Sequence, residues 1–325
     1  MRRLTSLFAA AAALALAPNA HAATRGNWNT SEQEAVAAAG TLPRLADGHF
    51  HGERPLTGAQ LTAALGGTAS ISSATVSVTA FDARLVAQLG LTDVAQHVQD
   101  VARDAGLQPP ASFGTEVVAR SIGLRTNHPA QDDAIELYPW DPITRAEAAH
   151  SFAVLAQSGE WAAENARAQL GTFALPAYDA KTRALLRVAV AKIGMPYVWG
   201  GETDRVSSTY GYQAHGGYDC SGFVWRVFKL SGNPAGAAIG GRTAAQMAGE
   251  IRKAQRLHLD EIQAGDLLFF GKASFNGKAT EASVVHVGIA LSPHWMIHSS
   301  AQGVYVSSLD DEWRQNEFTW ARRVV

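Results

Sequence analysis

Cys220 is the only cysteine in the chain, and it stands in Asp219-Cys220-Ser221-Gly222-Phe223-Val224-Trp225-Arg226-Val227-Phe228. A lone cysteine serves either as a small buried hydrophobe or as a reactive thiol, and count alone gives the two readings equal weight. Position separates them. Asp219 is a good N-cap, and Phe223, Val227 and Leu230 recur at helical spacing, so Cys220 falls in the first turn of a helix. The unpaired N–H groups and dipole there favour the thiolate, which is the nucleophilic form. A core cysteine would sit mid-helix on the apolar stripe. Two histidines are placed to serve such a thiol. Residues 283–291 read as a strand and 295–300 as its partner, with Ser292-Pro293-His294 turning between them. A turn centred on Ser292 sets His286 directly opposite His298, with Cβ atoms ~5 Å apart on one face. A one-residue slip would put the rings on opposite faces, and a histidine taken singly is more often structural than catalytic.

The elements around these groups are short. Gly265-Asp266-Leu267-Leu268-Phe269-Phe270 is a turn feeding a buried strand. Asp179 caps a helix that runs to Ile193, where Gly194 and Met195-Pro196 stop it. The whole chain has 325 residues, a prior for two domains that can each bury a core. With 47% hydrophobic and 17% charged residues, wholesale disorder is excluded. A net charge of -2 without a domain-sized basic face argues against a nucleic-acid binder. One cysteine rules out an internal disulfide and a Cys-based zinc site. Arg2 and Arg3, the apolar residues 4–17 and Ala20-His21-Ala22 read as a signal peptide, residues 1–22, cleaved after Ala22. The apolar stretch falls short of the ~20 residues of a spanning helix. The mature chain is therefore expected to be exported, where an unpaired thiol is exposed to oxidation and needs a functional reason.

Residues 23–158 show helical patterns and a weak repeat. Pro55-Leu56-Thr57-Gly58-Ala59-Gln60 recurs as Pro142-Ile143-Thr144-Arg145-Ala146-Glu147, each copy with a capping box. Gly40 and Gly123 each end an Ala/Val-rich run, so a unit reads as helix, glycine stop, loop, Pro-x-Thr, helix. Residues 159–178, rich in Ala and Gly and containing Pro176, read as a linker. His49-x-His51 has no second ligand pair at zinc spacing and reads as surface residues.

In order and spacing, the pieces of residues 179–325 resemble the NlpC-type cell-wall cysteine peptidases, a papain-like family acting on bacterial peptidoglycan. The pieces are Gly194-Met195-Pro196-Tyr197-Val198-Trp199-Gly200-Gly201, Asp219-Cys220-Ser221-Gly222-Phe223, Arg242-Thr243 with Gln246, Gly265-Asp266, His286-Val287-Gly288-Ile289 and Ile297-His298. The resemblance implies an α+β fold: a papain-like catalytic domain, its cysteine helix packed on an antiparallel sheet, preceded by a mostly α-helical domain. It implies Cys220 as nucleophile, His286 as base and His298 as the residue that orients the base. The Cys220 N–H and the Tyr197 hydroxyl would meet the oxyanion, and Asp219 and Ser221 would help to seat the D-glutamyl carboxylate. The implied reaction is hydrolysis of the D-γ-glutamyl–diamino-acid amide bond of peptidoglycan stem peptides, with no cofactor and no metal. The alternatives are an acyltransferase or amidase on another cell-wall amide bond, and a non-catalytic wall-binding protein. Two departures are the long loops 202–218, which holds His215, and 272–282. In the N-terminal half, Trp140, Asp141-Pro142 and Thr144-Arg145-Ala146-Glu147 resemble the S-layer homology module, a helical binder of cell-wall polymers. That implies a wall polymer as a second partner, although Gly58 stands where the module carries arginine. No nucleic-acid partner and no membrane span are expected.

Overall fold

The computed structural model describes residues 24–68, 72–207, 212–272 and 280–325. The expected signal peptide and the centres of both long loops lie outside the described residues. The N-terminal half carries α1 (Thr30–Ala38), α2 (Gly58–Ala64), α3 (Val78–Gln88), α4 (Thr92–Asp104), α5 (Phe113–Ser121) and α6 (Arg145–Leu170). Thr57 and Thr144, the two expected caps, begin α2 and α6, and each side chain accepts the N–H three residues on. Ser77 does the same at the start of α3. The residues just before these caps bind one another in a ring. Leu56 N–H donates to Ile143 C=O (2.8 Å), Ile143 N–H to Val76 C=O (2.8 Å) and Val76 N–H to Leu56 C=O (3.1 Å). The repeat therefore has three copies. The middle one escapes the sequence pattern because Ala80 fills the position where a capping box needs Glu or Gln.

Helix α6 continues through Gly159 to Leu170, so 159–170 of the expected linker is helix. The reason is an apolar stripe: Ala162, Ala166 and Leu170 stay buried at helical spacing beyond the glycine. Arg145, which carried the S-layer-type resemblance, is 1% exposed and donates to the carbonyls of Phe50 and Pro43. It holds its own half together.

Asp179 caps α7 (Ala180–Val190) through Lys181 and Thr182 N–H groups. The short pair β1 (Glu202–Thr203) and β2 (Gly217–Tyr218) leads into α8 (Cys220–Trp225), and a capping box of Thr243 and Gln246 starts α9 (Ala244–Gly249). Then follow β3 (Leu267–Gly271), β4 (Val284–Ala290), β5 (Trp295–Ser300), β6 (Gly303–Ser308), α10 (Glu312–Glu317) and β7 (Phe318–Arg322). The five long strands form one antiparallel sheet in the order β6-β5-β4-β3-β7. Alternation divides its faces. Leu267, Phe269, Val287, Ile289, Trp295 and Ile297 join the main core, while Leu268, Phe270, Ala290, Met296 and Phe318 form a second cluster on the other face.

The main apolar cluster is continuous from Val36 to Trp320 and so crosses between the halves. Polar ties reinforce the junction. Arg120 donates to Gly194 C=O (2.9 Å), Arg187 to Gly106 C=O (2.7 Å) and Asn127 N–H to Ala301 C=O (2.7 Å). No helix among the described residues is long and apolar enough to cross a membrane.

Candidate active site

Cys220 is the first residue of α8, as its spacing predicts, and the Asp219 carboxylate accepts Gly222 N–H (2.5 Å) and Ser221 Oγ–H (3.0 Å). Gly222 must lack a side chain, since a Cβ there would meet Gly201 O at 1.8 Å. The backbone N–H groups of Val287 and Ser221 lie near the sulfur and act in the direction that favours its thiolate. Val287 is available because the β4–β5 ladder holds only Ile289–Ile297 and Ala290–Met296, so the thiol sits where the strands part, beside the backbone of His286. The helix-start argument for a resting thiolate is corrected. Burial, and then the negative Asp219, outweigh those N–H groups and push the thiol up to about 12.

The histidine pair forms, but in a different register. Ile289 faces Ile297 and Ala290 faces Met296, so the turn is centred one residue later than expected and His286 lies diagonal to His298 rather than opposite it. A two-residue shift in partner preserves the face. Gly288 stands across from His298, and a Cβ on it would come within 3.2 Å of the His298 Cβ. The missing side chain leaves the room through which His286 Nε2 reaches His298 Nδ1, at 2.9 Å. On its other edge, β4 faces a register shift of β3 between Phe270 and Gly271, with Phe270 paired to His286. Bulges of this kind re-aim side chains.

His298 is fully buried, and its Nε2 meets Ser307 Oγ at 3.0 Å and Arg314 Nη2 at 3.4 Å. Arg314, from α10, is itself buried, with its guanidinium 4.2 Å from the Trp313 ring centroid. Burial first, and the Arg314 charge second, push His286 down to about 3 and His298 well below the usual histidine range. Both imidazoles therefore rest neutral beside a neutral thiol. Because a nearby cation penalises the imidazolium, Arg314→Met raises the pH at which both rings gain a proton. Proton NMR titration of the imidazole signals checks this; unchanged midpoints would remove Arg314 from the site's electrostatics.

The Tyr197 hydroxyl is raised by burial first and then by nearby acidic groups, Cys220, Asp219 and Asp133, which sets it in the neighbourhood of the cysteine. Asp219 and Ser221 belong to a buried polar cluster centred on Arg242. Its guanidinium reaches Ser221 Oγ (2.9 Å), Asp219 Oδ1 (3.3 Å), Glu202 Oε2 (2.9 Å) and Gly200 C=O (3.1 Å). His215 packs on Tyr138 with ring centroids 4.3 Å apart and ring planes tilted by 36°.

Sequence reasoning missed the contribution of the N-terminal half. Asn127 clamps the Tyr197 backbone by donating from Nδ2 to its C=O (2.8 Å) and accepting its N–H on Oδ1 (3.3 Å). Asp133 accepts Trp199 N–H (2.7 Å), and the Tyr138 hydroxyl accepts Gly216 N–H (3.2 Å). Arg314 and Ser307 were missed as well. None of these carries a local signal, because what identifies them is packing across a long separation in sequence.

A cysteine helix set on an antiparallel sheet that carries paired histidines defines the papain-like class. Residues 194–323 match the model of the NlpC/P60 family, and that stretch is an NlpC/P60 domain. Over 161 residues the chain is 32% identical to "Murein DD-endopeptidase MepH" of Escherichia coli (strain K12), covering 48% of this chain and 51% of that one. It is 32% identical over 118 residues to "Gamma-D-glutamyl-L-lysine dipeptidyl-peptidase" of Bacillus subtilis (strain 168), covering 36% and 31%. The chain thus spans about half the length, or less, of these curated relatives. Among solved structures it is similar to the NlpC/p60 domain of peptidoglycan hydrolase SagA, at 30% identity and a TM-score of 0.31, covering 44% of this chain and 97% of that one.

Proposed function

We propose that this chain is an exported peptidoglycan hydrolase that cleaves the D-γ-glutamyl–diamino-acid amide bond of stem peptides by a thiol mechanism. The observation that carries the reading is the 2.9 Å His286–His298 pair, begun on the strand whose Val287 N–H lies near the thiol of the single cysteine. The two curated relatives are named for different bonds. The D-γ-glutamyl bond is preferred here on the wider motif set of the sequence, from Tyr197 to His298. Export rests on the pattern of residues 1–22 and on a substrate that lies outside the cytoplasmic membrane.

In this reading, Cys220 Sγ attacks the scissile carbonyl while His286 removes its proton and later delivers it to the leaving amine. The thioester is then hydrolysed by water with His286 again as base. His286 needs one ring nitrogen free, so its Nε2–H donates to His298 Nδ1, and His298 Nε2–H in turn donates to Ser307 Oγ. The Arg314 contact at 3.4 Å is long for a hydrogen bond and acts through its charge. That charge helps to keep the rings neutral at rest, with a lone pair free on His286, and it makes the imidazolium harder to form until substrate is bound. Neutral resting partners also mean that the charged pair forms when substrate arrives, and the Cys220 N–H with the Tyr197 hydroxyl would stabilise the oxyanion. Arg242, with Asp219 and Ser221, is proposed to line the subsite for the substrate carboxylate. The N-terminal half is proposed to build one wall of this cleft. Arg145, buried on its own carbonyls, gives less support to a separate polymer site there.

The roles of the two histidines are separable. His286→Ala should lower kcat by ~10²–10⁴-fold, the usual worth of a positioned general base. His298→Gln keeps an oxygen to accept the His286 Nε2–H, so the loss should be about tenfold, the worth of a weakened hydrogen bond. Steady-state kinetics on a purified muropeptide decides this; equal losses would sink the assignment of His286 as base and His298 as its orienting partner.

A further inference from the structure

A second constellation lies in the N-terminal half, in Asp47-Gly48-His49-Phe50-His51-Gly52-Glu53. Sequence spacing gave the two histidines no ligand partner, but the fold brings Asp47 to them. One ligand atom each from Asp47, His49 and His51 lies within 4.8 Å of the other two. We propose that these three side chains form a binding site for a divalent transition-metal ion of the zinc class, with solvent completing the coordination.

Three further features point the same way. His51 Nδ1 is held by Glu53 Oε1 at 3.1 Å, and His49 Nδ1 by the Asp47 backbone C=O at 3.0 Å. A neutral imidazole that donates from Nδ1 presents a lone pair at Nε2, and a carboxylate or carbonyl behind the ring is the usual outer partner of a metal-bound histidine. His51 Nε2 then stands 2.6 Å from Asp47 Oδ2, two acceptors facing each other, which requires either a proton or a cation between them. One ring nitrogen of His49 lies within 4.8 Å of a carboxylate oxygen of Asp47 and of a ring nitrogen of His51. Ligands about 2.0–2.2 Å from a tetrahedral zinc sit about 3.3 Å apart, so modest side-chain rotation from the present spacing meets the requirement.

The loop is also held in place. Its ring-bearing turn has Leu45 N–H on His49 C=O (2.8 Å) and Gly48 N–H on Leu45 C=O (2.9 Å). From α6, Arg145 grips Phe50 C=O and Pro43 C=O, while Arg145 N–H and Ala146 N–H hold the carbonyls of Arg54 and Gly52. His51 itself has φ +54°, a left-handed conformation costly for a residue with a side chain. Such strain is kept where the surroundings enforce it, often at ligand sites. His51 is half-buried, while Asp47 and His49 face solvent, so an ion can reach the site.

The test uses the full chain, freed of any affinity tag and carrying Cys220→Ser so that the thiol cannot compete for metal. Calorimetric titration with Zn²⁺ alone should show one ion bound per chain. His49→Ala and His51→Ala should each weaken binding at least about tenfold, and Glu53→Gln, which touches no metal, by ~10–100-fold as an outer partner. Far-UV circular dichroism establishes that each variant is folded, and Asp47→Asn serves as the conservative variant should a histidine substitution unfold the loop. No zinc uptake by the parent means that the His51–Asp47 gap holds only a proton and overturns the proposal. Uptake unchanged by both histidine variants places the ion elsewhere and overturns it equally.

Discussion

Cys220→Ala should leave a folded protein with no measurable turnover, a loss on the order of 10⁶-fold in kcat, as when the nucleophile is removed from a serine-type triad. The substitution is structurally mild. Alanine is a good helix residue, and the Asp219 cap binds Gly222 and Ser221 rather than the sulfur. Melting temperature and far-UV circular dichroism should therefore match the parent while hydrolysis vanishes. Retained hydrolysis by a purified, alanine-bearing chain would remove the thiol from the mechanism.

The second large effect concerns the N-terminal half. A fragment beginning at Gly171 keeps Cys220, His286, His298 and Tyr197, yet it should fail to fold cooperatively and should show no turnover. The apolar core does not stop at the boundary: one cluster holds Val36, Phe81, Phe113, Leu170, Leu186, Met195, Phe223 and Trp320. Each large side chain newly exposed costs ~1.5–3 kcal/mol, against a total stability of ~5–15 kcal/mol for a typical domain. The segment that bears Tyr197 also loses its direct supports, Asn127 on the Tyr197 backbone and Asp133 on Trp199 N–H. Thermal unfolding and urea titration of the fragment decide the matter. A sharp transition with activity on soluble muropeptides would show that the catalytic half is self-sufficient.

The readability of this chain varied with the reach of each signal. The cysteine helix was legible because its cap and apolar spacing lie within ten residues, and the hairpin because a Ser-Pro-His turn separates two strand-like runs. The register was not. A strand pattern fixes which face a residue takes, but the partner is set by where the ladder parts and by Gly288, whose bare backbone admits the His286 ring. The third repeat, at Ser77, was hidden because it caps its helix without the acidic or amide residue that makes a cap visible. Helix α6 overran its expected end because buried alanines outweigh one glycine. Asn127, Asp133, Tyr138 and Arg314 act across long separations, and Asp47 meets His49 and His51 through a local turn that no zinc-type spacing announces. The protonation state of the thiol escapes the sequence for a related reason: a helix start is visible there, whereas the desolvation that opposes it is a property of packing.

The proposed reaction is hydrolysis of one particular amide bond. Mass spectrometry of the products formed by the purified full chain from defined muropeptides tests it most directly. The expected products are fragments that end in D-glutamate and new fragments that begin with the diamino acid, all absent with Cys220→Ala. Cleavage at a peptide cross-link or at the sugar–peptide amide, or transfer of the acyl group to an amine in place of water, would contradict it.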